Sequence, residues 1–234
     1  MNLDLGDTRF IIEYAKKKGA LRNQLAYILA TAYHETAHTM KPVRETLANN
    51  DKQAIARLDN AFAKGQLKWV KTPYWREGWF GRGYVQLTHK VNYDKMGVTK
   101  SQALQKEHAT RVLVDGMMDG VFTGKKLSDF VTIKASDFYN ARKVVNGTDQ
   151  ARLIEGYAKK YDDALLKEKY GVDSEPAKVA DSLPKTRIWT WLTASALPAL
   201  GLLDWRVQLL SVAIVGGLAV YAIVTIPQIK DWFK

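Results

Sequence analysis

Apolar residues recur at helical spacing along most of the chain before Val172, and the densest such pattern is Gln24 to Glu45, QLAYILATAYHETAHTMKPVRE. With successive residues about 100° apart on a helix, Leu25, Leu29, Ala32 and Thr36 form one stripe. Ile28 and Glu35 fall at its edge, and His34 and His38 on roughly the opposite side. The spacing predicts a helix from about Ala20 to Thr39, with Pro42 marking its exit. Before it, Asp7 or Thr8 can cap a short helix carrying Phe10, Ile11 and Tyr14, which Gly19 ends. After it, Asn49 or Asn50 precedes a third pattern with Ile55, Leu58 and Phe62 at core spacing, closed by Gly65. Further on, Thr99 can cap a helix to about Met118, and Ser128 or Ser136 opens one that Gly147 stops after Asn146. Thr148 begins a last amphipathic helix through Leu165, ended by Gly171.

Helical period is lost in WVKTPYWREGWFGRGYVQLTHKVNYDKMG, where Trp69, Tyr74, Trp75, Trp79 and Phe80 crowd between glycines. Such a stretch suits a sugar-binding surface, because rings stack on sugar faces, or a small core cluster under a long loop. Any strands are expected to be short hairpin pieces within it. The fold class expected from the pattern is therefore mainly α.

At Val172 the pattern changes. VDSEPAKVADSLPKTR, residues 172–187, is polar and contains Pro176 and Pro184, as a linker does. Residues 188–234 are strongly apolar: Ile188 to Leu203 is a sixteen-residue run, and Val207 to Pro227 holds no charge. A span needs about 20 apolar residues, so the second run predicts a transmembrane helix. The first is a second, thinner span completing a hairpin, a re-entrant piece, or an interfacial helix anchored by Trp189, Trp191 and Trp205. The alternative is a pair of buried helices. If both runs span, Lys185 and Arg187 before them and Lys230 and Lys234 after them place both ends in the cytoplasm under the positive-inside rule.

Composition narrows the chemistry. A chain of 234 residues can hold one good-sized core plus an appendage, and the absence of cysteine excludes disulfides and thiolate metal sites. A net charge of +11 suggests an anionic partner, such as phospholipid headgroups, an acidic wall polymer or nucleic acid. The first residues, MNLDLGDTRF, begin acidic and lack an apolar run before a small-residue cleavage site, so no signal peptide is expected.

Two chemistries are written over the Gln24–Glu45 segment. His34-Glu35-Thr36-Ala37-His38 satisfies H-E-x-x-H, in which two histidines one helical turn apart bind zinc and the glutamate acts as base. That reading needs a third ligand, and His89 and His108 belong to no extended zinc signature. Glycoside hydrolysis instead needs a protonated acid and a second carboxylate. Glu35, with an apolar flank that would raise its pKa, suits the acid. Glu45 follows the Pro42 turn and can swing back over a cleft as the base, or it forms a surface ion pair with Arg44 or Lys41; Glu77 is the reserve base.

The segment FGRGYVQLTHKVNY, Phe80 to Tyr93, resembles the signature of glycoside hydrolase family 19, the chitinase-type fold, in the form carried by bacteriophage endolysins. Supporting pieces follow the order of that family: AYHET at Ala32, VRE at Val43, FTGKKLSDF at Phe122 and NARKVVNGTDQARLIEGYAKKY at Asn140. The resemblance covers roughly residues 5–168 and implies a lysozyme-like, two-lobed helical domain with a deep cleft, spanning residues 1–171. It implies Glu35 as general acid, Glu45 as base, and Gln86, Thr88, Asn92 and Asn146 as substrate-binding residues, with Thr88 helping to hold the nucleophilic water. It also implies inversion, which places the carboxyl groups about 6.5–9.5 Å apart, and no metal or organic cofactor. An arginine of the plant relatives' last helix has no clean counterpart, since Ile154 falls near that position and Arg152 two residues earlier. The expected activity is hydrolysis of the peptidoglycan glycan by a membrane-associated protein held on the cytoplasmic side until lysis. Its expected partners are inner-membrane lipid and a holin or virion components, with no nucleic acid. The alternatives are a chitinase, a zinc metallopeptidase and a non-catalytic wall-binding membrane protein.

Overall fold

The computed structural model of the protein describes residues 1–170. The expected linker and the apolar segments of 188–234 lie outside the described residues. Among those described, six α-helices dominate: α1 (Thr8–Lys17), α2 (Arg22–Glu35), α3 (Asp51–Ala63), α4 (Lys90–Met96), α5 (Lys106–Asp119) and α6 (Ala151–Lys167). None of the described helices is long and apolar enough to cross a membrane. Two short strands, β1 (Val43–Arg44) and β2 (Arg82–Gly83), pair antiparallel with Val43 opposite Gly83 and Arg44 opposite Arg82.

The pattern around α2 predicted an amphipathic helix, and the structure corrects this. Every residue from Arg22 to Ala32 is buried, so the helix runs through the core and is covered on all sides. Its main neighbour is α6, whose Ile154, Ala158, Tyr161 and Leu165 recur every three or four residues on one buried face. The pair Arg22–Asp162, 2.9 Å apart with both side chains almost fully buried, links the two helices. At the start of α2, Asn23 donates to the Thr132 carbonyl and Ser136 hydroxyl, and Gln24 donates to the Val131 carbonyl.

Those contacts go with a second correction. In place of the helix expected from Ser128 or Ser136 to Asn146, the chain forms two short 3-10 helices, Leu127–Asp129 and Asn140–Val144. Between them Val131 bridges Ser136. The run Val131-Thr132-Ile133 is β-branched and resists helix, and the Thr132 hydroxyl accepts from the Lys134 and Ala135 amides. Similarly, the helix expected from Thr99 is divided into a 3-10 turn, Gln102–Leu104, and α5.

Helix α3 follows its local signals, since Asn50 caps it by accepting from the Gln53 amide. Two apolar clusters result. The larger surrounds α2; the smaller joins Ala48, Ala54 and Leu58 to Trp75 and Phe80.

Candidate active site

The expected helix to Thr39 stops at Glu35, and this decides what Glu35 and the histidines can do. The Ala37 amide bonds to the His34 carbonyl and the His38 amide to the Tyr33 carbonyl, the paired closure of a Schellman turn. Ala37 takes the left-handed conformation this needs, at φ 47°, although it is not glycine. The Thr36 hydroxyl, bonded to the Ala32 carbonyl, accepts the Met40 amide, and the Asp7 amide donates to the Met40 carbonyl. The exit is therefore clamped to the core. His38 lies beyond the helix, stacked on Tyr33 at 4.3 Å and 3.2 Å from the Tyr157 hydroxyl. The two histidines do not share a helical face, so the i, i+4 arrangement that H-E-x-x-H describes is not formed. Burial pushes the His34 pKa below its ordinary value; the Glu35 charge opposes the shift, and Arg142 and His38 add to it.

Glu35 faces a cleft of about 700 Å³. One wall is the segment Trp69 to Thr72 with Tyr74; the other holds Phe122, Val145 and Asn146; Val85 to His89 and Asn92 form a third side. Val70 and Tyr74 pack on the smaller apolar cluster, whereas Phe122 and Val145 pack on the larger one. The cleft is thus walled by both.

Arg142 was not singled out from the sequence. Its Nη1 donates to Glu35 Oε1 at 2.8 Å, with the two side chains 5% and 17% exposed, and its Nε donates to the Asp149 carbonyl. No local signal marked it, because the segment around Arg142 forms a short 3-10 turn and its partner Glu35 is distant in sequence. Among the described residues no group donates to the other oxygen of Glu35.

The glycine-punctuated signature segment builds the third side. Arg82 and Leu87 exchange backbone hydrogen bonds, closing a hairpin. Its turn needs Gly83, at φ 84°, where a Cβ would stand 2.8 Å from the Ala103 carbonyl. Gln86 donates to the Val43 and Gly83 carbonyls, Thr88 donates to the Gln86 carbonyl, and Asn92 donates to the Thr88 carbonyl. The Thr88 hydroxyl proton is thereby committed, so toward a bound water Thr88 accepts. Gln86, Thr88, Asn92 and Asn146, all expected at the site, lie on the same cleft as Glu35.

Glu45 does not line this cleft. It stands behind Tyr74, whose hydroxyl donates to Oε1 at 3.0 Å, while the Gly81 amide donates to Oε2 at 2.7 Å. The expected surface pair with Arg44 or Lys41 does not form; Arg44 bonds to Asp51 instead. Each carboxylate oxygen has capacity for a second donor, so a water can still bind. Burial, with the Glu45 charge beside it, holds the Tyr74 pKa well above its ordinary value, and the phenol remains a donor. Glu77 is exposed and off the cleft, its carbonyl taken by Lys100. The aromatic stretch divides between its two expected roles: Trp69 and Tyr74 face the cleft, whereas Trp75 and Phe80 are core.

Compared with family models, curated proteins and solved structures, the chain matches none.

Proposed function

We propose that the chain is an endolysin-type glycoside hydrolase that cuts the glycan strand of bacterial peptidoglycan, with Glu35 as acid and Glu45 as base. The observation that carries this reading is the convergence of Glu35, oriented by Arg142, with four neutral hydrogen-bonding side chains on one cleft. Hydroxyl and amide groups both donate to and accept from sugar hydroxyls and N-acetyl groups. The two apolar clusters that wall the cleft support a lysozyme-like, two-lobed domain.

In this mechanism the unbonded oxygen of Glu35 delivers a proton to the glycosidic oxygen as the bond to the anomeric carbon breaks. Arg142 then faces the carboxylate that remains. A water that donates to Thr88 attacks the opposite face, and its proton passes to Glu45 once Tyr74, which lines the cleft in front of Glu45, moves aside; this inverts the configuration. The apolar segments of residues 188–234 tether the enzyme to the inner membrane, on its cytoplasmic side until lysis, with a holin or virion components giving access to the wall.

Incubating the full-length protein with purified wall is expected to release reducing ends whose first-formed anomer, followed by NMR, is inverted, with no loss of rate in EDTA. A retained anomer removes Glu45 as the base for a water. Loss of activity in EDTA with recovery on adding zinc removes the glycosidase reading altogether.

Gly81 gives a finer test, because its amide holds Glu45 and a Cβ there would lie 2.7 Å from Gln86 Oε1. Gly81→Ala is expected to lower kcat/KM by about 10- to 100-fold, the cost of misplacing reacting groups by about 1 Å. An unchanged kcat/KM in this variant argues against Glu45 as base.

A further inference from the structure

The proposed reading leaves chitin, a neutral polymer, and peptidoglycan, a glycan substituted with acidic peptides, as rival substrates, and the charge of the cleft bears on that choice. Glu35 is the acidic residue on the cleft lining and already faces Arg142 at 2.8 Å. Lys71 also lines the cleft, on the Trp69–Thr72 segment; it is exposed, and no described group pairs with it. The uncompensated charge of the cleft is therefore positive and is carried by the Trp69–Thr72 segment. Beside Lys71, the Trp69 indole is 76% exposed on the same rim, while Val70 between them packs inward on the smaller cluster. Residues 1–170 hold 29 basic against 19 acidic side chains, which attracts any anionic polymer, but Lys71 puts a cation where a bound strand would run.

We infer that Lys71 binds a carboxylate carried on the substrate while Trp69 stacks on the adjoining sugar, so that the cleft selects a peptide-bearing glycan over a neutral one. This inference rests on the glycosidase reading above. A neutral strand gives Lys71 nothing to pair with and leaves it in water. A strand whose repeats carry peptide carboxylates supplies the partner, and the flat ring offers apolar area to the C–H face of a pyranose.

The test measures binding of the full-length Glu35→Gln protein to wall strands with intact peptides and to chitin oligosaccharides of matched length, which carry no carboxylate. Adding Lys71→Ala is expected to weaken binding to wall strands by about fivefold, the range of an exposed ion pair, and to leave binding to chitin oligosaccharides unchanged. Lys71→Glu is expected to weaken wall binding further. Lys17→Ala, which removes the same charge from α1 off the cleft, is expected to leave the wall-to-chitin ratio where it was. Equal effects of Lys71→Ala on both glycans, or none on either, overturn the inference. Wild-type release of reducing ends is measured alongside: absence of release from both glycans defeats the glycosidase reading, and the binding ratio still judges Lys71.

Discussion

Glu35→Gln is expected to lower the rate of wall hydrolysis by about 10³-fold, within the 10²- to 10⁴-fold range of a positioned general acid. Glutamine keeps the volume and offers Arg142 an amide oxygen, so the fold is retained with a small drop in Tm. Binding of the strand is expected to survive, because Gln86, Thr88, Asn92 and Asn146 are untouched. The loss should therefore appear in kcat rather than KM. Activity within tenfold of wild type sinks the assignment of Glu35. Glu45→Gln is expected to lose a comparable factor, since an amide held by Tyr74 and the Gly81 amide accepts no proton from a water.

Arg82→Met is expected to give the largest loss of stability, about 3 kcal/mol, or a fall in Tm on the order of 10 °C, measured by thermal unfolding. The Arg82 side chain is fully buried. Its Nη1 donates to the Gly78 and Phe80 carbonyls and lies 3.1 Å from the Tyr93 hydroxyl, and its Nη2 donates to Asp51. The guanidinium lies 3.7 Å over the Phe80 ring. Methionine fills part of that volume but leaves the buried Gly78 carbonyl and the Asp51 carboxylate without this donor, while the Phe80 carbonyl keeps the Tyr93 hydroxyl. A Tm shift below about 2 °C shows that the network contributes nothing net.

The effect carries a pH signature. Burial alone would raise the Asp51 pKa, but the hydrogen bond from Arg44 and the charge and hydrogen bond of Arg82 outweigh it and hold the pKa below its ordinary 3.8. A carboxyl depressed in the folded state contributes stability that is fully present above the unfolded value and lost as pH falls through the folded one. The gap between wild type and Arg82→Met should therefore be constant near neutrality and narrow below about pH 4.

Part of the site was expected from the resemblance of Phe80 to Tyr93 to a family signature, and its residues are neighbours in sequence. Gln86, Thr88 and Asn92 belong to one hairpin and the helix after it, and their hydrogen bonds to one another span two to four residues. A local pattern can specify that. The Glu35–Arg142 pair spans 107 residues and the Glu45–Tyr74 bond 29, and no periodicity encodes either. The end of α2 was misplaced for a related reason: HETAHT contains no glycine or proline to stop a helix, and Ala37 adopts left-handed backbone where the Met40 region is held by Asp7.

By itself the sequence determined a mainly helical chain, the start of α3 at its asparagine cap and the glycine-dependent hairpin. These depend on backbone propensity and side chains within a turn or two of each other, which act before the chain is packed. Tertiary structure alone decided that α2 is buried on every face, that Trp75 is core while Trp69 is exposed on the cleft, and that Glu35 faces an arginine. It also set Glu45 behind Tyr74. Such outcomes depend on which distant surfaces meet, and a charge or ring has the same local pattern whether it is covered by a neighbouring element or left in water.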